Sequence, residues 1–297
     1  MLVFLAILLR ILSNPIANVF QKRLTLGGLP ALTVNAMSYT LLSVFCIVLA
    51  LSVGWASLPA SFWLWATVAG VFGAVGNGFL VKALERGDLS ILGPINSYKS
   101  IVGMVVGVVL IGEKPSLTGL LGVVVIIFGS YFVFETTEEG FTWALLRNQE
   151  IRYRIYAMVL TAIEAVFIKK VILLSDATTS FIVWCWFGAL FAWMQVLATP
   201  SVRKKAPQET AASQSGKGLL GTAGLFLLLG LCIGTMQFTT NYVFRYIPVG
   251  YGLALFQLST IVSVVLGYRL FHEKGIRKKL LGSVIMIIGS VLIIFST

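Results

Sequence analysis

Charge is scarce in this chain. Asp, Glu, Lys and Arg together make up 11 % of its 297 residues, against roughly 25 % in a soluble domain. There is one histidine, His272, and there are three cysteines, Cys46, Cys185 and Cys232, set far apart within apolar runs. A single histidine outside those runs leaves no means of building a His-based zinc site or a serine or zinc protease. Cysteines so spaced read as small buried hydrophobes, without a disulfide or metal framework. Asp88 and Asp176 both fall between apolar runs, so the paired intramembrane aspartates of a membrane protease are missing. No glycine-rich loop leads into Gly-Lys-Ser or Gly-Lys-Thr, which removes a P-loop nucleotide engine. The expectation is a protein that is not an enzyme and needs no cofactor or metal.

What the chain has in abundance is apolar length. Hydrophobic residues make up 58 % and the mean hydropathy is +0.95. Ten apolar runs can be counted, at 2–20, 31–51, 60–82, 89–111, 116–135, 152–173, 178–199, 218–244, 249–271 and 279–296. Each approaches the roughly 20 residues that a helix needs to span a bilayer. The predicted fold class is an all-α membrane protein of ten transmembrane helices, with no room for a soluble domain. The first run is read as a span, because Asn14, Pro15 and Asn18 interrupt it and no basic flank or small-residue cleavage site marks a signal peptide.

The net charge of +11 reflects position, and nucleic acid is not an expected partner. Sixteen cations fall in odd-numbered loops and four in even-numbered loops, with Arg10 and Lys99 inside spans. The positive-inside rule then puts the odd loops in the cytoplasm and both termini outside.

The chain also repeats itself. Leu110, Glu113, Lys114, Leu120, Leu121, Gly122, Gly129 and Ser130 meet Leu270, Glu273, Lys274, Leu280, Leu281, Gly282, Gly289 and Ser290 at a constant offset of 160. Asn77 meets Gln237 at the same offset, and Ile16, Val19, Phe20 and Lys22 meet Ile163, Val166, Phe167 and Lys169 at an offset of 147. The predicted organisation is residues 1–135 as a first repeat of five spans, 136–151 as a linker and 152–297 as a second repeat. An odd number of spans per copy inverts the second relative to the first, the mark of a transporter whose site lies between its halves. The Ser201–Gly218 stretch reads as a polar connection, and Phe141–Leu146 as a short interfacial segment of the linker.

These residues resemble the drug/metabolite transporter superfamily, specifically its ten-span members with two EamA domains. The resemblance rests on Leu110-Ile-Gly-Glu-Lys114 and Leu270-Phe-His-Glu-Lys274, each followed by a Leu-Leu-Gly span with a late Gly-Ser, and on Lys82-Ala-Leu-Glu85 before span four. It implies a secondary transporter working by alternating access from a cavity between two five-helix halves. It also implies cytoplasmic termini, the reverse of the charge count.

Polar groups inside spans are the candidate site, because the bilayer penalises them. Arg10, Asn14, Asn18 and Gln21 follow one helical face, either as a cavity wall or as a polar seam to a neighbouring span. Span four carries Asn96, Tyr98 and Lys99, with Lys99 about 15 Å deep at 1.5 Å per residue. Gln237 and Asn241 share a face of span eight, with Thr240 beside them and Asn77 at the matching place in span three. Glu164 is the one acidic residue in the middle of a span. Two readings stay open for it: a proton carrier or substrate contact, or an ion pair with Lys99 or Arg10 that locks the halves.

Arg10 and Lys99 against Glu164 leave a surplus of one buried cation. The expected solute is therefore a small metabolite bearing a carboxylate or phosphate, for example an amino acid, with protons as candidate coupling ions. The remaining partners are membrane lipid and, at most, a second copy of the chain: a monomer or a homodimer. The expected location is multi-pass in a membrane, the inner membrane in a prokaryote. The alternative class is a lipid-linked flippase or a non-transporting scaffold subunit.

Overall fold

The computed structural model describes residues 1–87, 92, 95–134, 147–199, 219–271 and 276–295. Regular structure among them is helical throughout: α1 Leu2–Leu26, α2 Ala31–Ala50, α3 Ala60–Arg86, α4 Lys99–Ile111, α5 Leu117–Phe134, α6 Gln149–Leu174, α7 Ala177–Leu197, α8 Leu219–Tyr246, α9 Val249–Phe256, α10 Ser259–Phe271 and α11 Ile276–Ile294. Six stretches are both long and apolar enough to cross a membrane: Leu2–Leu26, Ala31–Ala50, Ala60–Glu85, Ala177–Leu197, Gly221–Tyr246 and Val249–Leu270. Three shorter apolar helices, Lys99–Ile111, Leu117–Gly129 and Leu280–Ile293, accompany them. α6 has the length but carries Arg152, Arg154, Glu164, Lys169 and Lys170. The outer faces are apolar, with Val109 75 %, Leu117 76 % and Leu231 68 % exposed; lipid is the solvent that tolerates such a surface. The chain is an all-α, multi-pass membrane protein.

Turn chemistry sets the helix ends. Pro30, Pro59 and Pro248 stand in extended or near-extended backbone just ahead of α2, α3 and α9, where the missing N–H of proline costs nothing. Asp176 caps α7 by accepting from the backbone N–H of Thr178 at 2.7 Å and of Thr179 at 3.0 Å. Partial burial pushes its carboxyl up, but these bonds and the Thr179 hydroxyl outweigh it and hold Asp176 below the ordinary aspartate range. Gly112 closes α4 at φ +74°, in the left-handed region that glycine enters without a Cβ penalty.

Two of the expected spans are not continuous. In the fourth, a 3-10 turn at Asn96–Tyr98 stands between the helical residues Leu92 and Ile95 and helix α4, which begins at Lys99. The ninth breaks at Gln257 and Leu258, where the N–H groups of Thr260 and Ile261 reach back only three residues, to Gln257 and Leu258. Polar side chains at mid-span, among them Asn96 and Gln257, accompany both breaks. Interrupted helices lining a central site are a recurrent transporter device. Pro94, Glu135, His272, Glu273, Lys274, the Phe141–Leu146 segment and the Ser201–Gly218 loop lie outside the described residues.

The helices pack in pairs: α3 along α6, α1 along α8, α2 against α7, α5 against α11, and α4 against α9 and α6. α5 and α11 cross through glycines. A Cβ on Gly122 would stand 2.6 Å from the Gly289 carbonyl oxygen, and one on Gly289 would stand 2.6 Å from that of Gly122. Gly129 meets the Gly282 carbonyl oxygen in the same way, at 2.7 Å. Because the obstacle is backbone, it cannot swing aside. Gly122→Ala is expected to destabilise the protein by roughly 1–3 kcal/mol, the usual cost of overpacking, read as a lower melting temperature in detergent. An unchanged melting temperature would show that the two backbones do not meet here.

Lys22, buried near the end of α1, donates to the Gly87 carbonyl at 3.0 Å. Lys169, buried near the end of α6, donates to the Ile247 carbonyl at 2.8 Å. The donors differ in number by 147 and the acceptors by 160, the two offsets read from the sequence. Each ammonium therefore satisfies a carbonyl at the end of α3 or α8. Lys22, Lys169 and Arg154 are thus interior groups, not loop cations. Without them the loop charges stand at fourteen odd to three even, so the bias survives the correction.

Candidate functional site

A cavity of about 80 Å³ lies among α1, α2, α3, α4, α6, α7, α8 and α9. α1 contributes Arg10, Asn14, Asn18 and Gln21, and α3 contributes Asn77. Asn96 and Lys99 enter from the turn before α4, Glu164 from α6 and Gln237 from α8. Two of the predicted site residues stay out of it. Tyr98 is exposed: in a 3-10 turn, residues three apart share a side, so Asn96 and Lys99 face inward while Tyr98 turns away. Asn241 is fully buried, but Gln237, 2.9 Å away, and the first turn of α7 take up its amide.

The cations are held in a particular way. Arg10 donates from Nε to the Thr240 hydroxyl at 2.8 Å and lies 4.9 Å over the Phe256 ring. Its Nη1 is buried without a hydrogen-bond partner. Arg154, 7 % exposed, donates from Nε to the Leu92 carbonyl at 2.8 Å and also lines the cavity. Sequence reasoning placed Arg154 among the loop cations, since a basic residue just inside a span resembles an interfacial anchor. Lys99 sits at the first turn of α4, within electrostatic reach of Glu164, Arg10 and Arg154. Among the described residues, no hydrogen bond or ion pair engages the Lys99 ammonium.

Glu164 does not make the ion pair weighed from sequence. Its Oε1 accepts from the indole N–H of Trp184 at 2.6 Å, and among the described residues the recorded ion pair is Lys169–Glu113. Trp184 packs on Tyr39 with ring centroids 4.7 Å apart, and the Tyr39 hydroxyl accepts from the Asn77 amide at 2.9 Å. Gly73 makes room for the Glu164 carboxyl and Gly188 for the Tyr39 ring, since a Cβ at either would collide with it. Tyr39 and Trp184 were not singled out from sequence, where an aromatic in an apolar run cannot be told from core.

Three elements meet through a cluster of polar contacts around Glu113. Glu113, just past α4, takes the Val249 N–H on Oε1 at 2.9 Å and Oε2 at 3.1 Å. Lys169 of α6 sits 3.4 Å from Glu113 Oε1, both side chains 11 % exposed. Beside them the Tyr251 hydroxyl takes the Ser116 N–H at 2.6 Å. The turn after α4, the end of α6 and the start of α9 are thereby joined.

Residues 1–135 match the EamA-like transporter family. A comparison with curated protein sequences found no match. A solved crystal structure is similar in fold, with a TM-score of 0.71 at 16 % identity over 99 % of this chain and 96 % of that one. The helical membrane fold, the sequence motifs and the match over residues 1–135 agree on a multi-pass membrane protein whose first 135 residues are similar to EamA-like transporters of the drug/metabolite transporter superfamily.

Proposed function

We propose that the protein is a secondary transporter that carries a small solute bearing a carboxylate or phosphate through the central cavity by alternating access. The halves 1–135 and 152–297, joined by 136–151, act as inverted repeats that rock about the cavity. The observation that carries this reading is the cavity itself, with Arg10, Lys99 and Arg154 against Glu164 and with amides drawn from both halves. Cations held in hydrocarbon with free donors are costly unless an anion joins them. The paired helices and the matched Lys22 and Lys169 bonds support two related halves. The cavity holds about six waters at roughly 12 Å³ each, which suits a compact solute better than a lipid-linked one.

Purified protein in liposomes tests this. Counterflow of labelled acidic metabolites is expected, with acidic competitors blocking it. If only neutral or cationic solutes compete, the anion reading is wrong; lipid scrambling without solute flux would favour the flippase. On orientation, the loop charges put both termini outside, so a reporter fused after Thr297 that works only in the cytoplasm is expected to be silent. A strong signal would reverse the assignment.

A further inference from the structure

The charge balance of the cavity points to a narrower class of solute, an inference that rests on the cavity being the transport site. Arg154 adds a third cation to the two legible in the sequence. Three cations face one carboxylate, a surplus of two. A zwitterion would leave that surplus untouched and a monoanion would halve it. A dianion cancels it.

The donors are arranged to match. Both arginines are tied back to the protein through Nε, to Thr240 and to Leu92. That leaves the forked end of each guanidinium for something else, and the fork is the geometry that grips carboxylate and phosphate oxygens. Arg10 Nη1 is buried and unpartnered. Lys99, a point charge with three donors, lies within electrostatic reach of both arginines and Glu164 on the cavity wall. Asn14, Asn18 and Asn77 provide amides for hydroxyl or carbonyl groups on the body of the solute.

We propose that the cavity takes a compact solute carrying two negative charges, a phosphate monoester or a dicarboxylate, with Arg10, Lys99 and Arg154 as its three anchors. Acidic oxygens complete the two guanidinium forks and the ammonium, and neutrality is reached only when both charges are present. An amino acid, with one carboxylate and one ammonium, meets the anchors with half the complement and places a fourth cation among them.

The test uses the purified full chain in detergent, with glycerol phosphate, succinate, acetate and alanine at matched ionic strength. Stabilisation against heat reads binding, and competition in liposome counterflow reads transport. Glycerol phosphate or succinate is expected to act at concentrations at least about ten-fold below acetate or alanine. Glycerol phosphate alone would mark a phosphate site, and succinate alone a dicarboxylate site. Arg154→Gln lowers the surplus to one, so the ratio of dianion to monoanion affinity should fall, while Arg154→Lys should retain it. A folding defect weakens all probes together and does not change that ratio. Equal competition by alanine, or an unchanged ratio in Arg154→Gln, overturns the proposal. Alanine flux with no dianion preference would spare the transporter reading, whereas dianion binding without any flux would spare this one.

Discussion

Glu164→Gln is expected to abolish pH-driven accumulation of solute while leaving exchange of labelled for unlabelled solute in place. Glu164 is 5 % exposed on the cavity wall, and its Oε1 accepts from Trp184 at 2.6 Å. A glutamine keeps that acceptor and the shape of the side chain, and no ion pair within 4 Å is broken by the change. What it removes is titration. One pH unit is worth 1.36 kcal/mol, about ten-fold in concentration per coupled proton, so the accumulation ratio across such a gradient should fall from about ten to about one. The measurement is uptake by proteoliposomes with and without an imposed pH gradient. Normal pH-driven accumulation by the variant removes the coupling role. A loss of folding yield that returns when Lys99 is also neutralised would instead make Glu164 a structural counter-charge, acting at longer range than an ion pair.

The second large effect concerns the Glu113–Lys169 tie. Removing one member of a pair this sheltered leaves the other without a counter-charge, at a cost of about 3–5 kcal/mol in the closed arrangement. Each 1.4 kcal/mol shifts a two-state population ten-fold. Glu113→Gln is therefore expected to raise, by roughly ten-fold or more, the rate at which a cysteine in place of Ile168 is alkylated by a polar reagent, in a background lacking Cys46, Cys185 and Cys232. Exchanging the charges should not restore closure. A lysine at 113 would face the Val249 N–H and a glutamate at 169 would face the Ile247 carbonyl, donor against donor and acceptor against acceptor. Unchanged alkylation in Glu113→Gln, or full recovery by the exchanged pair, would show that this contact does not hold the cavity closed.

The all-α membrane fold was legible because bilayer-length apolar runs are a one-dimensional signal. The polar face of α1 was equally legible: Arg10, Asn14, Asn18 and Gln21 follow helical spacing and do line the cavity. The exceptions have physical causes. The break at Gln257–Leu258 carries neither glycine nor proline, so nothing local announces it. Arg154 is the sixth residue of α6, and its guanidinium is held inward by a hydrogen bond to the Leu92 carbonyl, a partner distant in sequence. Asn241 shares a face with Gln237, yet packing against α7 consumes its amide. Spacing reports which side of a helix a group occupies; whether that group is already satisfied depends on the neighbouring helix.

The glycine crossing of α5 and α11 has a consequence for how the molecule is joined. Gly122 meets Gly289 and Gly129 meets Gly282, and these four are two positions seen twice at the 160-residue offset. A patch that fits an antiparallel copy of itself is isologous, like the contact across the two-fold axis of a homodimer. Such a contact is complete in each half and needs no covalent connection to form. Fragments 1–135 and 152–297, expressed as separate chains, are therefore expected to associate in the bilayer through this crossing, with no peptide between them.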